Sequence, residues 1–144
     1  MKYLIIISLS LFLGGCIKFI VLTPEMKNFE YTYQVDGKNK NQIWKLARNH
    51  FAKTYKDFRS VFSVQDEEEG TMIGKGTISW AFDMPGGQFC YHDYHIRFDA
   101  ENGNGKLKLE IMEMGSCKLT EKGYEQIKFD LKMLNLGLGV ALLK

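Results

Sequence analysis

Residues 96–111, which read IRFDAENGNGKLKLEI, carry the pattern that decides the fold. Apolar and polar residues alternate on both sides of a centre rich in glycine and asparagine, which predicts two strands joined by a tight turn. With Gly103 and Asn104 at the centre, the apolar pairs are Ile96 with Ile111, Phe98 with Leu109, and Ala100 with Leu107. On the other side, Arg97 opposes Glu110 and Asp99 opposes Lys108. This register predicts one buried face and one charged face.

The same register places Cys90 opposite Cys117. Directly opposed residues of an antiparallel pair lie ~4.5–5.5 Å apart at Cα, which is within disulfide range. We therefore expect a Cys90–Cys117 disulfide, which would persist in an oxidising compartment. The alternative is two buried free thiols, and a bulge between the turn and Cys90 would disturb the register.

The two strands of this hairpin extend over residues 88–100 and 106–114. Three further strand patterns lie upstream, at residues 29–35, 61–65 and 71–82. A charged turn at residues 66–70 closes the hairpin between the second and third strands, and residues 84–87 form the next turn. Gly74 and Gly76 lie inside the third strand, where glycine often marks a bulge or a close backbone approach.

Two stretches have helical periodicity. Residues 40–58 place apolar side chains three and four positions apart, and Asn39 or Asn41 could cap that helix. A second helix begins near residue 119, and the residues after 134 are apolar all round, which indicates tail packing or membrane contact. The order of strand, helix, four strands and helix predicts an α+β fold, with an antiparallel sheet of about five strands and two helices packed on one face.

The N-terminus has the features of a secretory signal peptide: Lys2, an apolar run at residues 4–13, and then small residues. The run is too short for a stable transmembrane helix, which needs about 20 apolar residues. Residues 13–16, LGGC, resemble the lipobox of bacterial lipoproteins. That resemblance implies cleavage before Cys16, a diacylglyceryl thioether on its sulfur, and often acylation of the new amine. The alternatives are an ordinary signal peptide or an uncleaved anchor, with Cys16 present by chance.

These features divide the chain into a signal peptide at residues 1–15, a lipidated tether at 16–28, and a single α+β domain at 29–144. The apolar residues 17–22 of the tether could lie on the bilayer or add an edge strand. The lipoprotein resemblance implies a location in the cell envelope. In enterobacterial lipoproteins, an aspartate directly after the cysteine retains the protein in the inner membrane. Since Ile17 stands there, the resemblance implies the outer membrane, facing the periplasm, in a host that uses this rule.

The charge balance gives no reason to expect a polyanionic partner. Removing residues 1–15 leaves 129 residues, and lysine plus arginine falls from 19 to 18 against 17 acids. Nucleic acid is therefore not expected to bind. A chain of this length can bury a substantial core.

The first helix carries Gln42, Trp44 and Phe51, the acidic turn ends in Gly70, and residues 72–76, MIGKG, begin the next strand. This combination resembles a family of bacterial domains of unknown function with a TATA-binding-protein-like fold. The resemblance implies that fold for about residues 29–117 or further. It brings no established catalytic residues, although many members are secreted or lipid-anchored.

The densest cluster of reactive side chains contains His92, Asp93 and His95. A small hydrolase or metal-dependent enzyme could use these residues, but three positions apart on a strand His92 and His95 point to opposite faces. A metal site needs three or four ligands that converge. Cysteine–histidine catalysis needs a free thiolate, which a disulfide removes. We therefore expect no catalysis, no metal and no cofactor.

The favoured function is a non-catalytic binding module of the envelope, which would bind a partner protein, a peptide or an envelope component. We expect binding at the sheet face away from the helices. The candidate residues on that face are Tyr91, His95, Arg97, Met112 and Met114. A structural subunit of an envelope assembly, recognisable as a stable oligomer, is a further alternative; the sequence does not fix the oligomeric state.

Overall fold

A computed structural model describes residues 16–82 and 86–144. The elements in these ranges are α1 (Pro24–Lys27), β1 (Asn28–Gln34), α2 (Lys40–Thr54), α3 (Phe58–Val61), β2 (Phe62–Asp66), β3 (Thr71–Ala81), β4 (Phe89–Glu101), β5 (Asn104–Gly115) and α4 (Glu121–Leu142). The predicted signal peptide and residues 84 and 85 of the predicted turn lie outside the described residues.

The strands form one antiparallel sheet in the order β1-β5-β4-β3-β2, so β4 is the central strand. The two long helices, α2 and α4, pack on one face of it and against each other. This confirms the predicted α+β fold, and the five predicted strands begin and end within two residues of the observed ones.

The core lies between the sheet and the two long helices. Phe51 of α2 packs with its ring centroid 5.0 Å from Phe62 and 6.2 Å from Phe98. Under α4, Trp80 is buried against Gly123, where a β-carbon would overlap the indole ring. The absence of a side chain at Gly123 therefore allows α4 to lie close to β3.

Helix α2 begins where the sequence predicts but ends earlier. Asn39 and Gln42 form a capping box, in which each side chain accepts a hydrogen bond from the backbone N–H of the other. The predicted helix over residues 40–58 is wrong beyond Thr54, because Tyr55 adopts an extended conformation. Its hydroxyl reaches that of Tyr94 in the sheet, and a separate short helix then begins at the Asp57 cap.

The predicted register of the last hairpin is wrong by two residues. The turn consists of Asn102 and Gly103, one position earlier than expected, so Phe98 faces Leu107 and Ile96 faces Leu109. Contacts with the segment before α2 hold this turn, because the Asn102 side chain accepts from Lys40 N–H and Gly103 bonds to the backbone at residues 35 and 38. The buried face stays apolar, since a shift of two residues preserves the faces of both strands.

The predicted charge pairs change with that register. Arg97 does not oppose Glu110 but Lys108, and Asp99 opposes Lys106. Glu110 lies opposite His95 instead. The cross-strand pairs predicted for Arg97 and Asp99 are therefore both wrong.

The structure nevertheless contains the predicted disulfide between Cys90 and Cys117, with the Cα atoms 5.7 Å apart. A bulge explains this result. Tyr94 pairs with Ile111 but His92 pairs with Gly115, so β5 contributes two extra residues between the two pairs. The bulge returns the strands to the register that the sequence predicted for the cysteines.

The segment after Cys16 packs on the domain rather than extending the sheet. Phe19 forms an isolated bridge with Thr120, Ile20 N–H donates to the Leu119 carbonyl at 2.9 Å, and the Phe19 ring lies 6.2 Å from that of Phe82. Of the two alternatives for residues 17–22, the edge strand does not form, since only an isolated bridge is present at Phe19. A short helix, α1, joins this segment to β1.

Helix α4 includes the apolar residues that follow position 134. Leu138 and Leu142 are fully buried, so this part of the helix packs on the core. Its outer side exposes an apolar stripe made of Phe129, Met133, Leu136, Val140 and Leu143. Within residues 16–82 and 86–144, no helix combines the length and hydrophobicity needed to cross a bilayer.

Candidate binding face of the sheet

One face of the sheet, here called the open face, is not covered by the helices. Side chains alternate along the central strand, and the residues that point away from the helices are exposed or half-buried from Phe89 to Glu101. On β5 the corresponding residues are the even-numbered ones, from Asn104 to Met112. The open face is therefore a polar surface held by a rigid sheet.

The structure divides the five predicted binding residues into two groups. His95 and Arg97 lie together in the middle of the open face, on the central strand. Tyr91 and Met114 lie near the disulfide at one end, where Tyr91 is 50 % and Met114 86 % exposed. Met112 is half-buried between them. The predicted surface is thus not one continuous site.

Arg97 is held in place by its neighbour on the same strand. Its guanidinium donates to both carboxylate oxygens of Asp99, at 2.7 and 3.0 Å, and Thr71 donates to the same carboxylate at 2.8 Å. Partial burial raises the pKa of Asp99, but the hydrogen bonds from Arg97 and Thr71 outweigh it, so the pKa lies below its usual value. The hydrogen bonds from Arg97 to Asp99 also raise the pKa of Arg97, and the pair stays ionised.

Two cations face each other across the middle strands. Arg97 on β4 lies directly opposite Lys108 on β5, and Lys108 in turn bonds to Glu30 on β1 at 3.1 Å. One residue pair further along the same face, the His95 ring nitrogen lies 3.9 Å from the Glu110 carboxylate. Directly opposed like charges repel, so an anionic group bound between Arg97 and Lys108 would be stabilised by both.

Two grooves meet at this cation pair. One, of about 390 Å³, is lined by His95, Ile73 and Glu110 among others. The second, of about 500 Å³, contains Thr71, Asp99 and Lys106. Arg97 and Lys108 line both grooves. A ligand that follows either groove therefore passes the same two cations.

The His92, Asp93 and His95 cluster does not converge. His92 points into the core, where its Nδ1 accepts a hydrogen bond from the Trp80 indole at 3.1 Å. Burial lowers the pKa of His92, and the nearby Asp93 offsets only part of that effect. Asp93 points to the open face and binds Lys75 and Thr77, both at 2.7 Å, and these hydrogen bonds, led by that from Lys75, lower its pKa.

Among the described residues, no three His, Cys, Asp or Glu side chains lie close enough together to hold a metal ion. A metal centre built on the His92 region would therefore need His92 to leave the core. The arrangement around Asp93 is that of an ion pair supported by a hydroxyl group.

Sequence reasoning placed Lys108 on the charged face but named neither Lys108, Lys106 nor Glu30 as a candidate binding residue. The predicted register sets Lys108 opposite Asp99, whereas the structure sets it opposite Arg97 and pairs it with Glu30. Glu30 comes beside Lys108 only because β1 pairs with β5, and this pairing joins residues far apart in the sequence. The alternation of polar and apolar residues around Glu30 predicts which face of the sheet Glu30 lies on, but it does not predict that Lys108 is its neighbour.

A five-stranded antiparallel sheet with helices on one face and a free opposite face is the architecture of a TATA-binding-protein-like α+β domain. The family described as "Domain of unknown function (DUF4468) with TBP-like fold" matches residues 29–115, and the chain belongs to this family. This confirms the predicted family and fold. No curated protein is detectably similar to the chain in sequence.

Solved structures share the fold. A DUF4468 family protein from Bacteroides ovatus has a TM-score of 0.63 at 18% identity, with 85% of this chain and 90% of that chain covered. A TBP-like protein from Parabacteroides distasonis has a TM-score of 0.64 at 10% identity, with 85% of this chain and 96% of that chain covered. At these identities the likeness shows the fold alone.

Proposed function

We propose that this protein is a non-catalytic binding module, anchored by lipid on Cys16 to the outer membrane, that binds an acidic segment of an envelope protein or peptide on its open face. The observation that carries the proposal is the opposed pair of Arg97 and Lys108, which lines both grooves. Asp99 and Glu30 hold these two cations in position before any ligand arrives.

The chemistry of the face supports an extended, acidic ligand. A guanidinium binds carboxylates through directed hydrogen bonds, and the neighbouring ammonium adds charge without strict geometry. Two grooves that continue across several strands suit a peptide segment better than a single compact molecule. Because Glu69 and Glu101 line the second groove, we place the acidic segment at Arg97 and Lys108 and along the first groove, beside His95.

The lipid anchor is supported by the N-terminal sequence, in which an apolar run and LGGC precede the domain. One acyl chain binds a membrane weakly, whereas two or more hold a protein there stably.

The exposed stripe on α4 favours a different candidate, a structural subunit of an envelope assembly, which would form a stable oligomer on sizing.

A photo-crosslinking amino acid at position 95 tests the binding role in living cells. We expect covalent adducts with an envelope protein from position 95 and none from position 56, where Lys56 is exposed between α2 and α3. Adding Arg97→Glu and Lys108→Glu should reduce the adduct at least several-fold, because the face then repels acidic segments.

The matched control changes two exposed lysines away from the open face, Lys53→Glu and Lys56→Glu, and should leave the adduct intact. Thermal unfolding of both double variants verifies that each is folded. An adduct of undiminished yield from the Arg97→Glu and Lys108→Glu variant, or no adduct at position 95 at all, would contradict the proposed site.

A further inference from the structure

The end of the molecule next to Cys16 exposes large apolar side chains from three separate parts of the chain. Val21 is 88 % and Met114 86 % exposed. A group of exposed apolar side chains that lie together marks an interaction surface more often than scattered ones do. This end patch consists of Ile17, Phe19, Val21, Phe89, Tyr91 and Met114.

Backbone contacts hold the parts of the end patch together. The bridge from Phe19 to Thr120 fixes the N-terminal segment beside α4, and Ser116 N–H donates to the Tyr91 carbonyl at 2.9 Å. A cleft of about 750 Å³ runs through the patch, lined by Phe19, Val21 and Met114 among others. The six side chains therefore form one continuous surface and are not separate exposed residues.

Charge is distributed unequally between the two ends of the sheet. Lys18 and Lys118 lie within or beside the end patch, where Lys18 pairs with Glu121 at 3.3 Å and Glu113 lines the same cleft. The opposite end carries the acidic turn of residues 66–69, and Glu101 ends the central strand there. Since β4 has 13 residues, the two ends are separated by about 40 Å.

We propose that the end patch lies on the bilayer surface and holds the domain with its strands directed away from the membrane. This rests on the proposed lipid anchor, because residue 16 is where an acylated chain would leave the membrane and the patch begins at the next residue. Lys118 beside the patch favours anionic headgroups. The aromatic rings of Phe19 and Tyr91 suit the boundary between headgroups and acyl chains.

Tryptophan fluorescence of the full chain, purified from membranes, tests this contact. The protein is reconstituted into vesicles of phosphatidylethanolamine and phosphatidylglycerol with brominated acyl chains. Val21→Trp reports on the end patch, and Glu68→Trp reports on the acidic end as the matched control. Both positions are exposed, and the native Trp44 and Trp80 are buried and give a common background.

We expect the bromines to quench Val21→Trp several-fold more than Glu68→Trp. Equal quenching, together with free access of aqueous iodide to Val21→Trp, would overturn the proposal. Protection of Val21→Trp from iodide without quenching by bromine would also overturn it, since a protein or a second copy would then cover the patch.

Mass spectrometry of the same preparation separates this proposal from the proposed anchor. An unmodified Cys16 refutes the anchor, whereas the quenching of Val21→Trp still reports whether the patch contacts lipid. Lipid on Cys16 with equal quenching at both positions refutes only the contact.

Discussion

At the scale of single residues, the fold excludes a side chain at one glycine, Gly76, and has room for one at another, Gly139. At Gly76, a β-carbon would overlap the Tyr94 ring, whereas at Gly139 the nearest atom would lie 3.5 Å away in ordinary contact with Tyr33. The sequence indicated a close approach at Gly76 from its position in a strand pattern. It could not indicate that the neighbour is the ring whose hydroxyl bonds to Tyr55.

We expect Gly76→Ala to destabilise the protein by about 1–3 kcal/mol, because the buried ring must shift. Gly139→Ala should stabilise it by about 0.5–1 kcal/mol, because alanine favours the helix and meets no overlap. Urea unfolding of both variants measures the difference. Similar changes in the two free energies of unfolding would contradict this account of Gly76.

His92 should make stability depend on pH. Because burial lowers its pKa in the folded protein, unfolding takes up a proton when the pH lies between the folded value and the unfolded value of about 6.5. The free energy of unfolding should therefore fall as the pH drops from 7 towards 5. His50, whose pKa burial and Lys53 also lower, adds to the same slope.

The variant His92→Asn keeps an acceptor for the Trp80 indole and should reduce the slope, with the part due to His50 remaining. Urea unfolding at several pH values between 7 and 5 measures it. His95→Asn, which removes an exposed histidine from the open face, serves as the control. A slope unaltered by His92→Asn would show that the buried histidine does not titrate on unfolding.

At the scale of elements, the last hairpin shows why faces are easier to predict than registers. The alternation of apolar residues fixes which side chains are buried, and a shift of two residues leaves that alternation intact. The register depends on Asn102 and Gly103 bonding to residues 35–40, a contact that joins distant parts of the chain. The cysteine pair was predicted correctly only because the bulge in β5 compensates the displaced turn.

Removing the disulfide should cost about 3–4 kcal/mol in the free energy of unfolding, from the entropy of a chain no longer closed between residues 27 positions apart. Urea unfolding of the variant Cys90→Ala with Cys117→Ala measures this loss. Cys16→Ala changes the exposed cysteine and should leave the free energy unchanged. Equal stability of the two would mean that the crosslink does not constrain the unfolded chain.

At the scale of the whole molecule, the order of helices and strands along the chain could be predicted, but which strands lie side by side in the sheet could not. Each strand and helix has its own local periodicity, which is why the α+β class and the helix-covered face were accessible from the sequence. The placement of β1 beside β5 brings Glu30 to Lys108, and no local pattern of the sequence contains this pairing. His95 and Arg97 were therefore found as candidates while Lys108 was not.

The way the N-terminal segment is fastened determines how a pulling force would travel through the protein. Two backbone hydrogen bonds join Lys18 and Ile20 to residues 119 and 121, so tension applied at residue 16 would reach them before it reached β1. Cys117 lies two positions from Leu119 and is crosslinked to Cys90 on the central strand. The load would pass into the middle of the sheet instead of peeling away its edge strand.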